Sequence, residues 1–377
     1  MKLVVDNQIP FIRGILEPFA LISYLPGAAI RKENLTDADG LIIRTRTKCT
    51  RELLQGTPVQ IIATATIGYD HIDTEWCEAT GIQWTNAPGC NSGSVAQYVA
   101  AALAAITNEK QLDLKDKTLG IIGVGHVGSK VEHLAKALGM NVLLNDPPRA
   151  RSESLPGFAD LDTLLKHSDI VTLHVPLNRT GPDKTLHLVD YQFLNKLKPN
   201  AILINTARGE VIEEQAVLDW IAGNNGRVSE AIPESNHGTL IIDTWPDEPH
   251  INPELLAKAW IGTPHIAGYS LDGKLNATIL AATAMAKHFG FTLDRLPSID
   301  QPSPVSGLGL ASSVYDHILE TYDILADDRR LRESPELFEN LRNNYPPRRE
   351  FQAWEIDSFP SGEIGHMLQA LGFGPTT

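Results

Sequence analysis

The stretch that decides the fold runs from residue 118 to residue 146: "TLGIIGVGHVGSKVEHLAKALGMNVLLND". Its apolar start, residues 118–123, predicts a short strand. From Val127 onward, apolar residues recur at i, i+4, i+7 and i+11, which is the spacing of one helix face. Gly139 is the residue type that ends helices, and a second strand follows up to Asp146. The stretch therefore predicts strand, glycine turn, helix and strand.

A Gly-x-Gly-x-x-Gly motif forms the turn, with its glycines at Gly123, Gly125 and Gly128. Gly123 permits the tight turn, Gly125 lets backbone N–H groups approach a pyrophosphate, and Gly128 lets helix and strand pack closely. The start of the helix, at His126 and Val127, supplies partial positive charge to phosphates. These five residues are predicted to bind a dinucleotide. The alternative is a structural turn in an unrelated α/β domain.

The acidic residue at the end of the second strand bears on the choice of cofactor. Asp146 lies 23 residues after the first glycine of the motif, where a carboxylate can accept hydrogen bonds from the adenosine ribose. It would repel the 2′-phosphate of NADP, so NAD is the predicted cofactor. Arg149 and Arg151 follow closely and weaken that preference a little.

Strands and helices continue to alternate after this unit. Buried strands are predicted at 169–175, 201–207 and 239–245, with helices at 189–197 and 213–223 between them. Parallel strands joined by helical crossovers form a Rossmann-type doubly wound sheet, which binds ligands at the carboxyl ends of its strands.

The first ninety residues repeat the pattern on a smaller scale. Short strands are predicted at 2–6, 41–44, 60–65 and 82–88, so we expect a second, flavodoxin-like α/β domain. Residues 91–106 predict a long helix, capped by Asn91 or Ser92, that carries the chain to the nucleotide domain. A later helix over 276–289 is expected to cross back.

A segment rich in Pro and Ser near Leu296 marks a further boundary. We therefore expect a substrate-binding domain (1–95 and 270–296), an NAD-binding Rossmann domain (96–269) and a third unit (297–377). The third unit has no cofactor motif, and its helical and mixed stretches suggest a small α+β domain.

Composition restricts the classes of function. The formal charge of −14 argues against non-specific binding to nucleic acid or to an anionic membrane. The N-terminus does not resemble a signal peptide, and the longest apolar run, 98–106, is about half a membrane span. Cys49, Cys77 and Cys90 lack metal-ligand spacing and are typical of reduced thiols in a cytoplasmic protein. The histidines show no zinc motif, so no metal is expected.

Three segments after the glycine turn place polar residues at or just beyond predicted strand ends. They are "INTARGE" with Arg208, "IDTWPDEP" with Asp243 and Glu248, and "GTPHIAGY" with His265 and Tyr269. Arg208 can hold a carboxylate through two hydrogen bonds, and His265 can remove a hydroxyl proton while hydride leaves the same carbon. Glu248 can orient the imidazole and favour its charged form, while Asp243 can receive the nicotinamide carboxamide or hold a loop.

Each of these residues has an ordinary alternative. An arginine after a strand is usually a surface charge, "DEP" is common in loops, and a single histidine is more often structural than catalytic. Their occurrence together, in this order and after a dinucleotide fold, favours the oxidation of a hydroxy acid.

The order of motifs resembles that of the D-isomer-specific 2-hydroxyacid dehydrogenases: GxGxxG, then ARG, then D-x-x-x-x-EP, then PHIAG. The resemblance implies that Arg208, Glu248 and His265 are catalytic. It implies substrate contacts at Thr45, Thr66 and Tyr269. It places NAD against the glycine turn and against Asp146, Val175, Ala207, Asp243 and Gly268. Val175 lacks a hydroxyl group, so only its backbone could contact NAD.

A narrower resemblance, to members of this family that act on a phosphorylated hydroxy acid, runs nearly end to end. It is carried by "APGCN" (87–91), "DPPRA" (146–150), "GPDKTLHL" (181–188), "HIAGYSLDGK" (265–274), "VYDHILETYDILADDRRLRE" (314–333) and "LRNNYPPRREF" (341–351). It implies that the third unit makes a homodimer.

The residues also suggest a phosphate site. In "LIIRTRTK", the basic residues Arg44, Arg46 and Lys48 alternate, so on an extended strand they would share one face. The alternative is a solvated strand end. Arg348 and Arg349 are further candidates, which would reach a phosphate from a neighbouring subunit.

One departure from the family is the long connection at 224–239, predicted to be a surface excursion without effect on catalysis because it leads to the amino end of a strand. The sequence thus predicts a cytoplasmic, NAD-dependent dehydrogenase of a phosphorylated 2-hydroxy acid. A phosphoglycerate-type or general 2-hydroxyacid dehydrogenase is one alternative, and an NAD-sensing co-regulator of the same fold is another.

Overall fold

The structure is a computed structural model that describes residues 1–153, 157–223, 237–299, 305–308, 313–346 and 348–375. The chain forms two compact units: 1–92 with 270–302, and 93–269 with 303–377. The first is called the N-terminal unit below, and the second the nucleotide unit. Most of the connection at 224–239, predicted to be a surface excursion, lies outside the described residues.

Strands and helices alternate through both units. The strands are β1 (Lys2–Asp6), β2 (Leu21–Leu25), β3 (Gly40–Ile43), β4 (Ile61–Thr64), β5 (Gln83–Thr85), β6 (Thr118–Ile122), β7 (Asn141–Asn145), β8 (Ile170–Leu173), β9 (Ile202–Asn205), β10 (Thr239–Ile242), β11 (Ile261–Gly262), β12 (Val305–Leu308), β13 (Trp354–Ile356) and β14 (Gly374–Pro375). The α-helices are α1 (Arg51–Leu54), α2 (Thr74–Thr80), α3 (Ser92–Lys110), α4 (His126–Ala137), α5 (Pro147–Glu153), α6 (Leu161–His167), α7 (Tyr191–Leu194), α8 (Glu214–Ala222), α9 (Pro253–Lys258), α10 (Leu271–Phe289), α11 (Val314–Thr321), α12 (Ile324–Glu333), α13 (Phe338–Asn343) and α14 (Gly362–Leu371).

The N-terminal unit is built on a parallel sheet with strand order β2-β1-β3-β4-β5, which is the flavodoxin-like order. The central strands β3 and β4 are buried throughout, as expected for a sheet covered on both faces. The strand β2 was not predicted, because this edge strand is only partly buried and lacks the continuous apolar run of its neighbours.

The nucleotide unit contains a parallel sheet with order β11-β10-β9-β8-β6-β7. An isolated parallel bridge joins Leu144 of β7 to Phe158. Phe158 thus occupies the position where a Rossmann fold has the third strand of its first half. The Rossmann-type prediction is therefore confirmed. The two-residue strand β11 was not predicted because it is too short to show a pattern.

The predicted helix after the glycine turn is confirmed as α4, which buries Val131, Leu134 and Ala135. Gly139 follows its end with a φ of 76°, the left-handed conformation that glycine adopts without strain. The long helix α3 ends at Lys110 rather than 106, and α10 begins five residues earlier than expected.

The expected cap of α3 is not formed by a side chain. The Asn91 Oδ1 atom is buried without a hydrogen-bond partner, and the Ser92 hydroxyl donates to the Gly89 carbonyl at 2.7 Å. The prediction of an Asn91 or Ser92 cap was therefore wrong, because the preceding turn uses the hydroxyl that would have capped the helix.

The C-terminal segment, expected as a separate domain, shares a hydrophobic core with the nucleotide unit. Ile318 of α11 and Tyr322 are buried in the same cluster as Tyr98 and Leu103 of α3. The segment has helices and a small parallel sheet ordered β12-β13-β14. Because α3 is apolar on all sides, the face that the Rossmann sheet does not cover must be covered by another element.

No helix in the described ranges is long and apolar enough to cross a membrane.

Candidate active site

The glycine turn has the geometry that its sequence predicts. Gly123 has a φ of 88°, and a Cβ atom built on it would lie 2.8 Å from the backbone carbonyl of His174. A Cβ on Gly128 would overlap the Gly123 carbonyl oxygen, so both positions need glycine. A Cβ on Gly125 would meet no atom within 4 Å, which leaves the backbone at the start of α4 open to a ligand. The turn therefore fits a pyrophosphate.

Asp146 lies beside this turn and holds it in place. Its Oδ2 atom accepts a hydrogen bond from the Val124 N–H at 2.8 Å, and its Oδ1 atom accepts one from the Arg149 N–H at 3.0 Å. The side chain of Arg149 pairs with Glu153, and that of Arg151 pairs with an aspartate further along the chain. Both guanidinium groups are thus engaged by carboxylates, which lessens their attraction for a 2′-phosphate.

The strands β9, β10 and β11 are neighbours in the parallel sheet, so their carboxyl ends lie at one edge. Arg208 follows β9 by three residues and His265 follows β11 by three residues, while Glu248 belongs to the loop after β10. The buried Asn205 organises this edge, because its amide donates to the carbonyls of Arg208 and Thr244. The sheet therefore brings the three predicted catalytic residues to the same edge of one unit.

A close backbone contact joins the Arg208 loop to the Glu248 loop. A Cβ on Gly209 would overlap the carbonyl of Trp245, so the glycine after Arg208 lets the two loops touch. The Trp245 N–H in turn donates to Glu248 Oε1 at 2.9 Å. This explains physically why a glycine follows the arginine.

His265 and Glu248 form the central polar contact of the site. The distance between His265 Nδ1 and Glu248 Oε2 is 2.7 Å, with 26% of the histidine side chain exposed. Burial favours the neutral form of Glu248, but the hydrogen bond and charge of His265, the Trp245 N–H and the charge of Arg342 together lower its pKa. The pair is therefore an imidazole held by an ionised carboxylate, with the remaining ring nitrogen, Nε2, available for proton transfer.

His265 also adopts a φ of 55°, which is unusual for a residue with a side chain and costs of order 1 kcal/mol. The surrounding loop enforces it. Asp243 is almost fully buried and accepts hydrogen bonds from the N–H groups of Ile266 and Ala267, at 2.8 and 2.9 Å. Asp243 also accepts from the Thr263 hydroxyl at 2.7 Å. Asp243 therefore holds the loop, which is one of the two roles left open for it, and its contact with the nicotinamide stays a prediction.

The remaining predicted cofactor residues lie near the same strand ends. Val175 follows β8, and its backbone N–H lies against the glycine turn, 2.9 Å from a Cβ built on Gly123. The buried Ala207 donates to Asn205 and accepts from the Arg208 guanidinium at 2.8 Å. Gly268 is half-buried in the loop after His265. Their contacts with NAD remain predictions.

Two arginines of the C-terminal segment contact this loop, and Arg342 was not predicted as a site residue. Arg342 Nε donates to the hydroxyl of Tyr269 at 3.1 Å. Arg348, 5% exposed, donates to Ser94 and to the carbonyls of Ile266 and Ala267 at 2.6 to 3.2 Å. Arg348 is therefore buried within its own unit and does not fit the role of reaching a neighbouring subunit, while that role stays open for Arg349.

His174, at the end of β8, was not predicted either. Its ring nitrogens lie 3.0 Å from the Thr172 hydroxyl and 3.2 Å from the Thr206 hydroxyl. Burial lowers the pKa of His174 to about 3, so this histidine is neutral at physiological pH. Its position beside Gly123 could have been predicted from the strand end, but nothing in the sequence indicates how strongly its ring is desolvated.

The predicted phosphate residues belong to the N-terminal unit. Arg44 and Arg46 do not share a face of an extended strand, because β3 ends at Ile43 and residues 44–47 form a turn closed by the Thr47 N–H and the Arg44 carbonyl. That prediction was wrong because Thr47 turns inward and donates to the carbonyl of Gly27 at 2.9 Å. Thr45, Arg46 and Lys48 lie around this turn, and all three are exposed.

Arg44 is held by acceptors at the end of β1. Its Nε atom lies 3.2 Å from the fully buried Asp6 carboxylate, and its Nη2 atom donates to Gln8 at 2.6 Å. Lys274, in the first turn of α10, was not singled out by the sequence. Burial and the charge of Arg44 lower the pKa of Lys274, so these two cations lie close to each other.

Thr66 follows β4 at the same end of the sheet as Arg44. Its hydroxyl donates to the Gly68 carbonyl at 2.8 Å and lies 2.7 Å from the Thr64 hydroxyl.

In the described part of the chain, no group of three His, Cys, Asp or Glu side chains is arranged to hold a metal ion.

Comparison with known proteins agrees with this geometry. The family described as D-isomer specific 2-hydroxyacid dehydrogenase, NAD binding domain, matches residues 95–267. A NAD⁺-bound 3-phosphoglycerate dehydrogenase of Entamoeba histolytica aligns with a TM-score of 0.63 and 27% identity, over 80% of this chain and 99% of that one. A D-lactate dehydrogenase of Aquifex aeolicus, with NAD and lactic acid, aligns with a TM-score of 0.61 and 26% identity, over 77% and 96%. The fold and site thus define an NAD-dependent 2-hydroxyacid dehydrogenase.

Full-length relatives narrow this class. The erythronate-4-phosphate dehydrogenase of Bacteroides thetaiotaomicron is 48% identical over 94% of this chain and 99% of its own length. That of Escherichia coli O9:H4 is 38% identical over 99% and 98%. The chain belongs to the erythronate-4-phosphate dehydrogenases, a family within the D-isomer-specific 2-hydroxyacid dehydrogenases. A second family, described as a domain of unknown function, matches residues 302–372.

Proposed function

We propose that this protein oxidises 4-phospho-D-erythronate with NAD to (R)-3-hydroxy-2-oxo-4-phosphooxybutanoate, a step in the synthesis of pyridoxal 5′-phosphate. The names of the relatives suggest the substrate. The observation that carries the chemistry is the 2.7 Å contact between His265 and the ionised Glu248, at the sheet edge that also bears Arg208.

NAD fits the nucleotide unit because the turn at Gly125 is open and both neighbouring glycines are required by close contacts. The turn, Asp146 and the backbone of Val175 would hold it. When bound, NAD supplies the acceptor for the hydride that leaves C2 of the substrate.

His265 acts as the base for the C2 hydroxyl. Since Nδ1 faces the Glu248 carboxylate, Nδ1 keeps its proton and Nε2 takes the proton from the substrate. Glu248 stabilises the imidazolium that forms. Asp243 fixes the loop through two N–H groups, so the imidazole is oriented before substrate binds.

Arg208 is proposed to bind the substrate carboxylate, because a guanidinium group offers two parallel donors to one carboxylate. Its Nη1 atom donates to the Ala207 carbonyl, which fixes the side chain near its own loop. Tyr269 is proposed as a further substrate contact.

In the N-terminal unit, Arg44 and Lys274 are the proposed phosphate ligands, with Thr45, Arg46 and Thr66 beside them. Asp6 pairs with Arg44, and the charge of Arg44 acts on the partly desolvated Lys274, so the two cations repel each other. A dianion relieves that repulsion more than a neutral hydroxyl would.

The test compares three substrates with purified protein and NAD, measured as NADH formation: 4-phosphoerythronate, 3-phosphoglycerate and D-lactate. We expect 4-phosphoerythronate to give the highest kcat/KM. Best turnover of 3-phosphoglycerate would favour the phosphoglycerate-type alternative. Tight NAD binding without turnover of any 2-hydroxy acid would favour an NAD-sensing co-regulator.

A variant pair tests the phosphate ligands. Lys274→Met should raise the KM for 4-phosphoerythronate about 10-fold or more, since hydrogen bonds to charged groups contribute about 1.5–3 kcal/mol. Lys287→Met, an exposed lysine on the same helix, is the matched control and should leave the KM unchanged. An equal KM for both variants would remove Lys274 from the phosphate site.

We also propose that the protein is a cytoplasmic homodimer that assembles through its C-terminal segment. Light scattering of the purified full chain should give twice the mass of 41.2 kDa. A monomeric mass at micromolar concentration would refute the dimer and leave the proposed reaction untouched.

A further inference from the structure

The C-terminal segment places a positive charge beside the acid–base pair of the same chain. Arg342 belongs to α13, and 29% of its side chain is exposed. Its Nη1 atom lies 3.9 Å from Glu248 Oε2, the oxygen that faces His265. The centre of its guanidinium group lies 5.7 Å from the ring of Tyr269. One side chain thus contacts both the carboxylate and a proposed substrate ligand.

The contact with Tyr269 has a defined polarity. The Nε atom of Arg342 carries one hydrogen and cannot accept, so the hydroxyl of Tyr269 is the acceptor in the 3.1 Å hydrogen bond. The hydrogen of the Tyr269 hydroxyl must then point away from the guanidinium group. Arg342 therefore leaves Tyr269 as a hydrogen-bond donor toward other groups, which is what an anionic substrate needs.

The contact with Glu248 concerns charge. Glu248 is largely buried, and burial by itself favours the protonated acid. Arg342 counteracts this effect together with His265 and the Trp245 N–H. At 3.9 Å, beyond hydrogen-bond distance, the interaction is mainly coulombic.

We propose that Arg342 is a positioning residue of the active site, which keeps Glu248 ionised and directs the hydroxyl of Tyr269. This assigns a catalytic contribution to the segment that matches a domain of unknown function. The inference rests on the proposed function in one respect, namely that His265 and Glu248 form the acid–base pair.

Titratable groups on other elements also lie near His265 and Tyr269. Burial raises the pKa of Asp243, at the end of β10, and the charge of His265 opposes this effect. Tyr345 lies edge-on to Tyr269, with ring centres 6.3 Å apart, and donates to Asp327 at 2.7 Å. Arg348 is a further cation near the loop, where it donates to the carbonyls of Ile266 and Ala267. The positive charges that lower the pKa of Glu248 are those of His265 and Arg342.

The first readout does not need substrate. The Glu248 carboxyl group is titrated by carbon-13 NMR in wild type, in Arg342→Gln and in Arg342→Lys. Because the charge of Arg342 lowers the pKa of Glu248, Arg342→Gln should raise the titration midpoint of this carboxyl group, by about half to one pH unit. Arg342→Lys keeps the charge and should titrate close to wild type. A midpoint in Arg342→Gln equal to that of wild type would overturn the charge role.

The second readout is kinetic. In Arg342→Gln, the acid limb of the kcat/KM profile for oxidation should move to higher pH together with the NMR midpoint. In Arg342→Lys, the hydrogen bond to Tyr269 is lost, and the KM for 4-phosphoerythronate should rise about 3- to 10-fold at unchanged NAD affinity. An unchanged KM in that variant would overturn the role toward Tyr269.

Arg329→Gln is the matched control. Arg329 lies on α12, is 61% exposed and pairs with the equally exposed Asp323. It should leave both readouts unchanged. If Arg342→Gln does not fold, as judged by its melting temperature, the KM measured for Arg342→Lys still decides the role toward Tyr269.

The two proposals fail in different ways. A wild-type enzyme that does not turn over 4-phosphoerythronate, but whose Arg342→Gln variant shifts the Glu248 titration, refutes the proposed substrate and supports the role of Arg342. A wild type that turns this substrate over, with identical titrations in all variants, refutes the role of Arg342 alone.

Discussion

Replacing Glu248 by glutamine isolates the charge of the carboxylate at nearly constant size. The two oxygens of Glu248 accept from two different donors, the Trp245 N–H at 2.9 Å and His265 at 2.7 Å. A glutamine has only one acceptor oxygen and one donor NH₂ group. If its oxygen stays with Trp245, the NH₂ group faces Nδ1 and forces the imidazole proton onto Nε2. If it turns around, the Trp245 N–H faces another donor.

Either outcome removes a charge-assisted hydrogen bond from the transition state. Such a bond contributes about 1.5–3 kcal/mol, and about 1.4 kcal/mol corresponds to a tenfold change in rate, so kcat should fall about 10- to 150-fold. The pKa of Glu248 lies below its ordinary value, so its negative charge is present throughout the working range. Without that charge the imidazolium is less stable, and the acid limb of the oxidation profile should move down by about one pH unit.

The assay is steady-state NADH formation between pH 5 and pH 10, with NAD affinity measured separately by fluorescence. NAD affinity should stay near that of wild type. Glu254→Gln, 64% exposed on α9, is the matched control. A kcat within twofold of wild type, or an acid limb that moves upward, would falsify the assignment of Glu248 as the partner that holds His265.

Three further predictions test other parts of the nucleotide unit. Gly209→Ala should lower the free energy of unfolding in urea by about 1–3 kcal/mol, because the new methyl group overlaps the Trp245 carbonyl; wild-type stability would show that the loops part easily. Asp146→Ala should raise the Kd for NAD about 10- to 150-fold in a fluorescence titration, since the turn loses the acceptor of the Val124 N–H; an unchanged Kd would separate Asp146 from the cofactor. The pKa of His174 is about 3 in the folded state and 6.5 ordinarily, so between these pH values the unfolded state binds one more proton. The free energy of unfolding therefore falls as the pH falls, by at most about 1.4 kcal/mol per pH unit. His174→Gln should flatten that slope in denaturation curves, and equal slopes would show that His174 is protonated in the folded state.

Much of the nucleotide-binding fold was predictable, because its signals are local. The apolar runs of β6, β8 and β9 and the helical spacing of α4 depend on residues within one element. The partly exposed strand β2 and the short strand β11 were not predicted, because their pairing with neighbouring strands, rather than their composition, makes them strands.

The candidate site was predictable only in part. Arg208, Glu248 and His265 follow strands that the sequence indicates, so their common edge follows from parallel pairing. The hydrogen bonds from the loop N–H groups to Asp243 did not follow, because they depend on where the loop folds back. The same is true of Arg44, whose neighbours Asp6 and Lys274 come from distant parts of the chain.

The sequence by itself determined the Rossmann unit, its glycine turn and the order in which the polar residues appear. These are properties of neighbouring residues and of backbone conformations that only glycine adopts easily. Only the tertiary structure decided that the C-terminal segment supports the His265 loop. Arg342 and Tyr269 are 73 residues apart, and Arg348 and Ile266 are 82 apart. Such contacts depend on how the apolar faces of α3 and the C-terminal helices pack, and no local pattern encodes that packing.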